Sequence, residues 1–84
     1  MTEQMLKALI KNLLVEQFYI SKHKFKWDLP LHTLNPDFKL LSKLVNLENL
    51  LSQRLNTMIP LIENISAEFN TPRDIVNLVQ KALE

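Results

Sequence analysis

Eighty-four residues without a single glycine exclude many of the folds that a small chain could adopt. Glycine enters positive φ at no steric cost. Phosphate-cradling loops, dinucleotide fingerprints and glycine-dependent hairpin turns all need that freedom. A helical chain does not, because Asn can close a helix C-terminus and Pro can open a helix. The expectation is therefore an all-α fold. Cysteine is absent too, which removes disulfides, thiolate metal sites and thiol catalysis together. Packing alone must hold the chain, and an apolar fraction of 46% supplies the interior of one domain over residues 1–84.

No apolar run approaches the roughly 20 residues that span a bilayer. Met1-Thr2-Glu3-Gln4 is polar rather than basic, and Lys7 and Lys11 interrupt the apolar residues after it, so no secretory signal is expected. A cytoplasmic setting is the reading. The net charge of +1 is too small to imply a polyanionic partner, and nucleic acid is not expected as one.

The residue pattern predicts a first helix from about Glu3 to Ile20, N-capped by Thr2, with Leu6, Leu9 or Ile10, Leu13, Val15 and Phe18 at helical spacing. Ser21 to Trp27 alternates polar and apolar residues but has no second strand to pair with, so it reads as a loop with Phe25 and Trp27 turned inward. Asp28 to Leu34 continues that loop, anchored by Leu29, Leu31 and Leu34. Asn35, Pro36 and Asp37 then give a cap, a first helical position and a favourable charge for a second helix ending near Leu55-Asn56. Its stripe is Leu40, Leu44, Leu47, Leu51 and Leu55, widened by Phe38, Leu41 and Val45. A short helix over Leu61 to Ile65 comes after Ile59-Pro60. A terminal helix starts at Pro72, with Thr71 as cap and Asp74 closing a shortened capping box.

Three stretches in this order resemble the acyl and peptidyl carrier protein family. They are Asp28-Leu29-Pro30-Leu31-His32-Thr33-Leu34-Asn35-Pro36-Asp37, the helix and exit from Val45 to Pro60, and Phe69-Asn70-Thr71-Pro72-Arg73-Asp74-Ile75-Val76-Asn77-Leu78-Val79. The resemblance covers about Asp28 to Leu83. It implies a four-helix bundle with a long loop between helices one and two, and a role in, or derived from, fatty-acid, polyketide or peptide biosynthesis. In the family, a serine after an aspartate opens the second helix and carries phosphopantetheine.

The chain departs from the family at that serine. Aligning on the upstream loop puts Phe38 at the position, and aligning on the helix exit puts Leu41 there. Neither side chain can form the phosphodiester. Ser42 is the nearest hydroxyl, preceded by Leu41 and expected inside the helix, so it is the one candidate for phosphopantetheine. The exposed face departs as well. Family members are commonly acidic along the second helix, whereas Lys39 and Lys43 stand here with Glu48 the only acid between Asp37 and Glu63. Such a face favours a protein partner with an acidic or apolar docking surface. Lys39, Lys43, Asn46, Leu61 and Ile62 are the expected contacts.

Other constellations carry less. Lys22-His23-Lys24-Phe25-Lys26-Trp27 interleaves base and aromatic, which suits single-stranded nucleic acid. If the chain is instead an unrelated helical binding module, this loop is the expected contact. The bland reading has the two aromatics as core anchors and the lysines solvated. His23 and His32 match no metal-ligand spacing, and no nucleophile, base and acid stand in a catalytic arrangement. Neither a metal site nor an enzyme is expected. The leucine stripe is too short for a coiled coil, so a monomer is expected.

Overall fold

The computed structural model describes residues 1–84 and is all-helical, with no strand. Five helices succeed one another: α1 (Glu3–Gln17), α2 (Leu31–Leu34), α3 (Leu41–Leu55), α4 (Leu61–Asn64) and α5 (Pro72–Leu83). A 3-10 turn, Pro36–Lys39, precedes α3. No helix is long and apolar enough to cross a membrane.

Each end has a chemical cause. Thr2 caps α1 by accepting the Met5 amide. The helix stops at Gln17 rather than Ile20, because Tyr19 turns to φ 56°, a left-handed conformation in which no helix continues. Asn56 closes α3 in the same conformation at φ 50°, which asparagine tolerates better than other residues bearing a Cβ. At α5, the Thr71 hydroxyl accepts the Asp74 amide while the Asp74 carboxylate accepts the Thr71 amide, so the capping box is complete.

The core is one cluster of 17 buried apolar residues. Ile10, Leu13 and Leu14 of α1 join Leu47 and Leu51 of α3 and Ile75, Val76 and Val79 of α5. The connection from Phe18 to Leu40 wraps this core and is better ordered than a plain loop. Phe25 is buried and Trp27 half-buried, meeting edge to face at 4.9 Å, and Leu31 is buried inside the helical turn α2. That turn escapes a periodicity reading because four residues hold barely one period. Two backbone bonds tie the connection to the start of α5: the Leu31 amide donates to the Asn70 carbonyl at 2.8 Å, and the Arg73 amide to the Trp27 carbonyl at 3.0 Å.

The second long helix differs most from expectation. Asn35 caps as its sequence suggests, accepting the Asp37 amide, but it opens the 3-10 turn rather than an α-helix. Leu40 then extends at φ −86° and ψ 129°, and the α-helix begins only at Leu41. The break turns Phe38 inward against Phe18, with ring centroids 5.0 Å apart, while the residues after it start a new helical phase. The Asn35 side-chain amide fixes the corner by donating to the Phe18 carbonyl at 2.7 Å.

Candidate functional site

The break at Leu40 decides which residues of α3 meet solvent. With the helix phased from Leu41, its inward stripe is Leu47 and Leu51, flanked by half-buried Leu44, Leu50 and Leu55. Leu40 is 54% exposed, Leu41 63% and Val45 37%. All three belong to the stripe expected to be buried. Their exposure has a simple cause: an 84-residue interior has room for one stripe of α3, and the sequence offers almost two. Leu41 and Val45 are four apart and so neighbours on the helix surface, with Leu40 at its foot.

Two lysines also stand at this end of α3, one on each side of Leu40 in the chain. Lys39 ends the 3-10 turn and is exposed; Lys43 is half-buried in the first turn of α3; Asn46 is exposed one turn on. Leu40 provides no side-chain cap, and the positive end of the helix dipole adds to the two lysines. A groove of about 310 Å³ lies on another flank of α3, against the end of α1, and is lined by Gln17, Phe18, Lys43, Asn46, Leu50 and Gln53 among others. The start of α3 thus presents an apolar ledge on one side, and Lys43 with a polar groove on another.

Ser42 is the second residue of α3, exposed, one residue past the break. Ser42 lies inside the helix as expected, and the hydroxyl stands in its first turn. The two alignment positions separate, with Phe38 buried and Leu41 exposed. Of the expected partner contacts, Lys39, Lys43 and Asn46 lie together at this end of α3. Leu61 does not qualify. It is 0% exposed as the first residue of α4, drawn in because α4 packs on α3. Ile62 is half-buried, and its amide donates to the Glu48 carboxylate at 3.1 Å. That bond also employs Glu48 in joining α4 to α3.

The aromatic loop divides as the bland reading has it. Phe25 and Trp27 pack inward, while Lys22, His23, Lys24 and Lys26 stay exposed. His23 and His32 share no cluster, and no three His, Cys, Asp or Glu side chains converge. One ion pair is well formed: Arg73 Nε donates to Asp28 Oδ1 at 2.7 Å. That bond holds the Asp28 carboxyl below the usual carboxylate range and raises the Arg73 guanidinium. Exposure of Leu40, Leu41 and Val45 is the feature that sequence reading missed. The signal available was the excess width of the leucine stripe. Comparison with protein-family models, curated proteins and solved structures gave no match.

Proposed function

We propose that this chain is an acyl-carrier-protein-like bundle that acts by docking, with the start of α3 as its contact surface. The carrier-like reading is supported by the element order: a long helix, a wrapped connection, a second long helix with an Asn-Thr exit, a short helix and a capped terminal helix. The observation that carries the docking reading is the exposure of Leu40, Leu41 and Val45 at the start of α3, directly after Lys39. Apolar side chains clustered at a surface and rimmed by charge are the ordinary make-up of a protein contact. The two lysines select an acidic rim on the partner, which speeds encounter more than it deepens affinity. Affinity capture with the wild-type chain and with Lys39→Glu/Lys43→Glu tests this. The partner retained by the wild type should be lost from the variant, and equal retention would contradict the reading.

A second reading, phosphopantetheine attachment at Ser42, draws on the exposed hydroxyl in the first turn of α3. Exposure and the neighbouring Lys43 suit a phosphodiester. The residues ahead of Ser42 do not suit the family's attachment motif: Leu40 and Leu41 precede it, and Asp37 is set apart by the break. When bound, the group would supply a thiol for an acyl chain, with Ser42 as its anchor. Intact mass after incubation with coenzyme A and a broad-specificity phosphopantetheinyl transferase separates the two readings. Docking without carriage predicts an unchanged mass. A gain of one phosphopantetheine, abolished by Ser42→Ala, would establish carriage instead.

A further inference from the structure

The near-neutral net charge conceals a division of charge across the molecule. The connection after α1 folds back along that helix, and the contacts place its cations beside those of α1. Lys11 Nζ lies 5.4 Å from the Phe25 ring centroid and Lys7 Nζ 5.9 Å from that of Trp27. The Arg73 amide bonds the Trp27 carbonyl. Lys22, Lys24 and Lys26 project from the same segment and are exposed. Six of the ten Lys and Arg residues therefore gather on one face.

Two acids stand among them, Glu3 against Lys7 at 3.9 Å and Asp28 against Arg73. Lys11, Lys22, Lys24 and Lys26 form no ion pair. Glu16 lies half a turn round α1 from Lys7 and Lys11, on another side of the helix. The Asp74 carboxylate, close by in sequence, is engaged by the Asn70 and Thr71 amides. The rest of the chain carries four cations against seven acids, so this face is positive while the remainder is negative on balance. Such a dipole steers an anion to one side despite a net charge of +1.

We infer that this face, the α1 row of Lys7 and Lys11 with the Ser21–Trp27 segment, binds single-stranded nucleic acid through its phosphates. The cations form a band: Lys7 and Lys11 are about 6 Å apart along the helix axis, and the contacts of Trp27 and Phe25 set the loop alongside them. Successive phosphates of one strand can contact several cations of such a band. A lipid surface would favour apolar side chains aimed outward among the cations, and here Phe25 and Trp27 are turned into the core. A stacking platform stands nearby in Tyr19, 89% exposed just before the loop and held in the strained left-handed conformation. Stacking on aromatic side chains is the usual complement to phosphate contacts on single strands. The surface is separate from the start of α3 and does not depend on the docking reading.

Fluorescence anisotropy of a labelled oligo-dT titrated with the full chain tests the inference. With about four phosphate contacts, affinity should fall roughly fifty-fold between 50 and 200 mM salt. Lys22→Glu/Lys24→Glu/Lys26→Glu should abolish binding, and the same three changed to Arg should keep it. Lys39→Glu/Lys43→Glu should leave affinity within about twofold, since those lysines lie off the band, and Tyr19→Ala should weaken it at least about fivefold. Circular dichroism of every variant separates lost binding from lost folding. The inference is overturned by absence of salt-sensitive oligo-dT binding, or by binding that survives the triple Glu change in a folded variant. Equal binding of polyglutamate, or binding to phosphatidylserine vesicles without binding to oligo-dT, overturns it as well.

Discussion

Tyr19 shows how one residue shapes the chain beyond it. A non-glycine residue at φ 56° carries on the order of 1 kcal/mol of steric cost, and its exposed ring recovers little by burial. In return, α1 ends sharply and Ile20 and Phe25 enter the core. Tyr19→Asn, which tolerates the left-handed region, should stabilise the chain by about 0.5–1 kcal/mol, read as a higher urea midpoint at unchanged slope. The same change should weaken oligo-dT binding. The Asp28–Arg73 pair makes a different prediction, about pH. Its folded carboxyl titrates below the unfolded one. The contribution is therefore present above the unfolded pKa and lost as pH falls through the folded value. Asp28→Asn should lower Tm slightly near about pH 7 and leave it equal to wild type near about pH 2. Both side chains are well exposed, so the effect is small and shrinks further in about 1 M salt.

At the scale of elements, α3 holds the main contrast. Leu51 and Leu41 are the same residue type on the same helix, one buried and one 63% exposed. Leu51→Ala should cost about 2–5 kcal/mol, because it opens a cavity where Ile10, Leu47 and Val79 share the core. Leu41→Ala should fall within about 0.5 kcal/mol of wild type. Chemical denaturation of the two variants checks both values. Much of this architecture was legible from local chemistry. Thr2, Thr71 with Asp74, and Asn56 each announce a helix end through hydrogen bonds made within a few residues, and each stands where those bonds predict. The start of α3 was not legible. Asn35-Pro36-Asp37 carries a genuine cap signal, but the cap serves a 3-10 turn whose length is set by the long-range packing of Phe38 on Phe18. Local sequence cannot specify that contact. The same limit hid the exposed patch, because which half of a wide leucine stripe is buried depends on the phase after the break.

Across the whole molecule, two surfaces stand apart from the core and from each other. One is the apolar ledge at Leu40, Leu41 and Val45 next to Lys39; the other is the cationic band along α1 and the loop after it. Composition reported neither, since a net charge averages over faces and an apolar fraction does not distinguish core from ledge. A partner with an acidic rim and an apolar centre fits the first surface, and a single-stranded polyanion fits the second. Substitution at one should leave the other intact, because no residue is shared between them.

The ledge can be tested without touching charge. Leu41→Ser/Val45→Ser removes its apolar surface from positions outside the core, and the variant should fold as the wild type does. Quantitative mass spectrometry of affinity captures should then show one protein enriched by the wild type and depleted at least tenfold in the variant. Equal recovery of the same proteins by both chains would contradict the claim that the start of α3 is the docking surface.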